Sequence, residues 1–220
     1  SSSKMSSLRF GFDVTACVAH AVTIGVGIST PGFVRSFTGL CLVAMECVTF
    51  LFHVWYITCN RGAIGRPRTA KWYEYGISAT LGTIAILHTD ITPRWDWIIL
   101  FFLIGNAQQL MGLQLEHNPS AAAFVAGTMI QLGEYVFVGM KHSGVVFWTY
   151  VAFYGLFGVH ALMNILNPTP SDYSEEVYSL FGFVAKLAVF YAEYAHTMKV
   201  RHALIITVSV CTFVTVVAYT

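Results

Sequence analysis

Seven stretches, at 9–29, 38–59, 70–88, 95–116, 121–140, 144–166 and 174–198, are dominated by apolar side chains and separated by short polar or proline-bearing breaks. No other feature constrains this chain as strongly. Roughly 20 apolar residues is the length at which a helix crosses the hydrocarbon core of a bilayer. The expected fold is therefore all-α, a seven-transmembrane helix bundle in membrane lipid. A further apolar segment, 203–219, follows the seventh stretch. One helix from 174 to the end would be roughly 70 Å long at 1.5 Å per residue. That is too long for one crossing, so a break is expected at Lys199-Val200-Arg201-His202. Whether the tail is an eighth span, an interfacial helix or a continuation is left open by its composition.

Composition decides which function classes survive. Charged residues are 10% of the chain, against about 25% in soluble domains. The net charge is +1, so there is no basic field for nucleic acid. A disordered chain, a nucleic-acid binder and an ordinary soluble enzyme are excluded. The spans use up the chain, which leaves no room for a second domain. Cys17, Cys41, Cys47, Cys59 and Cys211 are scattered singly, without the spacing of a disulfide framework or a metal site. The opening SSSKMSS is polar, and the first apolar run is long enough to stay in the membrane, so no cleavable signal peptide is expected. No Ser/His/Asp order or phosphate loop stands out, and GVGIST lacks a P-loop context. The chain is not expected to be an enzyme.

Positive charge sets the expected orientation. Arg61, Arg66, Arg68 and Lys71 crowd the connection between the second and third spans. Such loops stay in the cytoplasm, which puts the N-terminus there too. Lys199 and Arg201 fall on the opposite side.

Ionisable residues inside spans need a reason, because each costs about 2.5–3.5 kcal/mol at the bilayer centre. Lys186, in YSLFGFVAKLAVFYAEY, lies about twelve residues into the seventh span, roughly 18 Å deep. A desolvated lysine can form a Schiff base with an aldehyde. It can equally be half of a structural ion pair. Glu74, in KWYEYGISA, is the candidate partner; alternatively it is a headgroup-level acid among Trp72, Tyr73 and Tyr75. His20 and His53 are also deep, and two histidines with an acid suggest a buried polar network.

These residues resemble one family. FGFVAK, preceded by EEVY, is similar to the seventh helix of heliorhodopsins, where the lysine binds retinal. KWYEYGISA resembles their third-helix motif, whose glutamate is the counter-ion, and TFLFH resembles their second-helix Ser-x-x-Phe-His. GNAQQLMGLQLE resembles the fourth helix and SGVVFWTYVAFYGLFGVHALMNIL the sixth. The resemblance runs over nearly all of residues 8–195. It implies a light-sensing protein with all-trans retinal on Lys186 as a protonated Schiff base and Glu74 as counter-ion. It also implies a polar network of His20, Thr49 and His53, an N-terminus in the cytoplasm, a homodimer, and signalling to a partner rather than pumping. Ser78 lies in the counter-ion motif. Tyr154 and Phe157, three apart and so on one helix face, are candidates for the chromophore wall, with Gln109 and Met111.

The chain departs from the family pattern in several places. Gly182 stands where the family has a serine one turn before the lysine, Gly158 replaces an asparagine, and Thr49 replaces a serine. The first connection, 30–37, is short where many members have a sheet-forming excursion. Three additional acids, Glu46, Glu134 and Glu193, fall within spans. Glu193 is two turns beyond Lys186 on the same face, roughly 10 Å away. With Glu74, His20 and His53 they could form a proton route, which makes a light-gated proton channel or weak pump an alternative. A light-insensitive membrane partner, with Lys186 merely ion-paired, is another.

Overall fold

A computed structural model describes residues 2–59, 69–118, 120–142, 144–166 and 171–199, with the side chains of 2–8, 59 and 171–176 outside the description. Arg61, Arg66, Arg68 and the 203–219 tail lie outside the described residues. The described residues form eight helices and no strand: α1 (Ser2–Ile28), α2 (Pro31–Val34), α3 (Phe37–Cys59), α4 (Ala70–Leu87), α5 (Trp95–His117), α6 (Ala121–Gly139), α7 (Val145–Leu166) and α8 (Ser171–Met198). Five stretches are long and apolar enough to cross a membrane: Arg9–Ile28 of α1, Phe37–Thr58 of α3, and the whole of α5, α6 and α7. The two long helices outside that group, α4 and α8, are those that carry Glu74 and Lys186.

Local chemistry explains several boundaries. Ser120 caps α6, its hydroxyl accepting from the Ala123 amide at 3.1 Å. Pro31 starts α2, where a missing amide hydrogen costs nothing. The short first connection therefore holds one helical turn. α8 stops at Met198, and Lys199 takes a left-handed φ of 54°, so the break falls where the cluster of positive residues begins. Asp90 turns the chain after α4 with a φ of 59°, a conformation that short polar side chains tolerate best.

The seven long helices form a ring in which α1 packs on α3, α3 on α4, and so on through α7 on α8, with α8 closing on α1. α8 also touches α3 and α4 across the ring. α5 and α6 thus stand opposite α8. The surface inverts the pattern of a water-soluble bundle. Val18, Leu51, Leu103, Met129, Val136 and Met163 are each at least 60% exposed, whereas Asp13, His20, Glu46, Glu74 and Lys186 are each at most 4% exposed. Apolar surface on this scale marks contact with lipid or protein rather than water.

Lys71 corrects one reading. It was expected to be a loop charge, but it sits in the first turn of α4, buried, with its ammonium 3.0 Å from the Glu116 carboxylate of α5. The same carboxylate accepts from the Trp72 indole. A lysine held this way belongs to the packing between α4 and α5.

Candidate functional site

Lys186 and Glu74 meet inside the ring, the ammonium donating to Glu74 Oε1. That one oxygen is heavily served. Ser78, one helical turn on, donates to it at 2.7 Å, and Thr49 donates from α3 at 2.9 Å. The Lys186 ammonium also lies 4.7 Å from the centre of the Tyr75 ring, a cation–π distance. Three of the expected residues thus converge on the lysine through a single carboxylate.

A second cluster lies beside the first, and its geometry follows from spacing. Asp13 and His20 are seven apart on α1; Glu46 and His53 are seven apart on α3. Seven residues is two turns, so each pair shares a helix face. The two helices run antiparallel, and the pairs therefore cross-match. Asp13 meets His53 at 3.0 Å, and Glu46 meets His20. The two imidazole rings stack, centres 5.7 Å apart and planes 17° apart. Among the described residues, His20 Nε2 and Glu46 Oε1 are buried without a hydrogen-bond partner. Asp13 was not singled out from the sequence; the matched seven-residue spacings were the available signal.

Gln109, Met111, Tyr154, Phe157 and Lys186 all line one cavity of about 360 Å³ between α4, α5, α6, α7 and α8. Phe157 stacks on Tyr178 at 6.0 Å, and Tyr154 lies 4.9 Å from Tyr150. Two glycines shape this space. At Gly158 an added Cβ would meet nothing within 4 Å, so the missing side chain enlarges the cavity. At Gly182 a Cβ would collide with the Tyr75 hydroxyl, which donates to the Tyr178 carbonyl at 3.1 Å. The absent serine is therefore the space that Tyr75 fills. Gly182→Ser is expected to displace Tyr75 and to cost about 1–3 kcal/mol as overpacking. A thermal melt in detergent checks this, and Tyr75→Phe should relieve part of the loss.

The three additional acids go to three separate places. Glu46 joins His20. Glu134 accepts from the Tyr150 hydroxyl at 3.2 Å and from the Gln131 amide at 3.4 Å. Glu193 accepts from Thr89 at 3.0 Å and from Thr197 at 3.1 Å, near the Asp90–His196 pair. On the α8 face between Lys186 and Glu193 stand Val189 and Phe190, both fully buried. Tyr191, the one residue between them with a proton-bearing side chain, turns instead toward α1, its hydroxyl 3.3 Å from that of Thr23. The chain matches no protein-family model and no curated protein.

Proposed function

We propose that this chain is a light-sensing retinal protein of heliorhodopsin type. The observation that carries the reading is Lys186, a buried amine held by one carboxylate at the wall of a 360 Å³ cavity. Ligand cavities run from about 300 to 1,000 Å³ and are mostly apolar with a few placed polar groups. The residues present suit a long conjugated aldehyde: flat rings at Tyr154, Phe157 and Tyr178, open space at Gly158, and an amine in the wall. Lys186 would hold retinal through its amine, and the bound group would supply visible absorption and the aldehyde carbon for that attachment.

The chain's own residues then have distinct tasks. Glu74 keeps a negative charge beside the nitrogen and so favours its protonated form. Ser78 and Thr49 fix the carboxylate oxygen that faces it. Tyr154, Phe157 and Tyr178 face the space beside the amine with aromatic rings. In this reading α4 and α8 supply the sixth and seventh membrane crossings. The 18 residues of α4 reach about 27 Å at 1.5 Å per residue, close to the hydrocarbon thickness. Their polar side chains turn inward. The N-terminus lies in the cytoplasm with the 60–69 connection, and the protein acts as a homodimer that signals to a partner.

One observation favours a second role, light-gated proton movement. The Asp13, His20, Glu46 and His53 cluster sits next to Glu74 and holds four groups that exchange protons. Acid and histidine chains mark proton paths in membranes. Photocurrent across imposed pH gradients tests this; no current at any voltage would leave signalling alone.

Adding all-trans retinal to membranes holding the protein is expected to produce a visible absorption band that Lys186→Ala lacks. Folded wild-type protein with no band would overturn the proposal and favour a light-insensitive membrane partner.

A further inference from the structure

Glu134 has no part in the reading above, yet it sits directly behind the cavity lining, among Gln131, Leu132 and Tyr135 of α6, which line it. It is 4% exposed on α6. Its recorded hydrogen bonds come from neutral donors, Tyr150 on α7 and Gln131 on its own helix. Gln131 lines the cavity and pairs with Gln108 of α5, which also lines it. Tyr150 continues to Thr83 of α4 at 3.1 Å. The carboxyl group is therefore one side chain away from the cavity, behind the α5–α6 wall, while Lys186 stands on the α8 wall with Glu74 of α4 behind it.

We infer that Glu134 is a proton-exchanging site whose ionisation sets the colour of the chromophore. The inference rests on the retinal reading. Light absorption by a protonated conjugated imine moves positive charge from the nitrogen toward the far end of the chain. A negative charge beside the nitrogen holds the ground state down. A negative charge at the far end holds the excited state down and lengthens the absorbed wavelength. Both effects are Coulombic and strong where water is excluded. Glu74 occupies the first position; Glu134 sits behind the α6 wall, and α6 packs on α5 and α7 rather than on α8, which carries Lys186.

Among Glu134 and the side chains around it, only Glu134 ordinarily changes charge below the range in which tyrosines titrate. Its titratable neighbours are Tyr150 and Tyr154 on α7 and Tyr135 on α6. Tyrosines ordinarily titrate near pH 10. α5 presents the Gln108 amide and α4 the Thr83 hydroxyl, neither of which changes charge.

The test is the absorption maximum of the full chain loaded with all-trans retinal, from mildly acidic to mildly alkaline pH. The wild-type band is expected to move to longer wavelength as pH rises, and Glu134→Gln to stay at the short-wavelength position. Titration of Glu74 would move both proteins alike, so the difference between them isolates Glu134. Gln131→Leu keeps the acid but cuts its link to the cavity wall, and should shrink the shift. If Glu134→Gln fails to fold, Glu134→Asp should retain a pH-dependent shift. Infrared spectra of the retinal-free protein should show a carboxylic C=O stretch that fades with rising pH and is missing from Glu134→Gln. Equal shifts in wild type and Glu134→Gln, or a wild-type band that never moves, would overturn the inference. No visible band in either protein would overturn the retinal reading and this inference with it.

Discussion

Glu74→Gln is expected to remove the visible band of the retinal-loaded protein at neutral pH, moving absorption toward the near ultraviolet. The carboxylate is the anion on the Lys186 nitrogen, and without it a protonated nitrogen stands uncompensated in the protein interior. Breaking a buried ion pair from one side costs about 3–5 kcal/mol, so the retinal-free variant should also unfold at markedly lower temperature. The hydroxyls that steady the same oxygen have smaller parts. Thr49→Ala and Ser78→Ala should each cost about 1.5–3 kcal/mol, the worth of a hydrogen bond to a charged group, and leave a shifted but visible band. Absorption spectra and melts of the three variants give the comparison. A Glu74→Gln protein that kept the wild-type band at neutral pH would remove Glu74 from its assigned place.

The second large effect is expected in the stacked histidine cluster. Glu46→Ala leaves a nitrogen of the buried His20 ring without its partner, a loss of about 1–3 kcal/mol for a buried polar group left unsatisfied. His20→Ala removes the same contact from the other side. The double variant should therefore lose less than the sum of the singles, with a coupling of about 0.5–3 kcal/mol. Asp13→Ala and His53→Ala should behave as a second coupled pair. Additive losses within either pair, read from unfolding midpoints, would contradict the cross-matched arrangement.

Much of the architecture was readable because each long helix is an apolar run with a chemical reason to stop. Lys199 breaks the chain where positive residues cluster, and Ser120 caps where the hydroxyl is needed. The lysine and its carboxylate were readable too, since a membrane interior tolerates few such residues and Lys186 is the one lysine deep in an apolar run. The structure joins Lys186 to Glu74 across 112 positions. Other parts depend on how helices are rotated, which no single helix encodes. Lys71 looked like a loop charge because it follows three arginines, yet its rotation turns it toward Glu116. Gly182 looked like a lost hydrogen-bonding group; only packing shows that Tyr75 claims the space. Glu46, Glu134 and Glu193 looked like one series by depth, but their helices face different neighbours. Asp13 was hidden for a subtler reason. Its meaning lies in the match between two seven-residue spacings on antiparallel helices, and neither spacing is informative alone.

The arrangement places the costliest groups in the chain, a lysine, two imidazoles and several carboxylates, at the centre of a bundle whose outside is apolar. Each is held by a partner of opposite or complementary character. A light-driven change at the Lys186 nitrogen would reach Glu74 directly, and through the neighbouring His53 the cluster between α1 and α3.

The most direct measurement is to reduce the retinal-loaded protein with borohydride and locate the modified residue by peptide mass mapping. Reduction converts a carbon–nitrogen double bond on a lysine into a stable amine and fixes retinal where it was attached. The account predicts one retinyl group per chain, on Lys186. A retinyl group on any other lysine, or none on folded protein that had been given retinal, would contradict it.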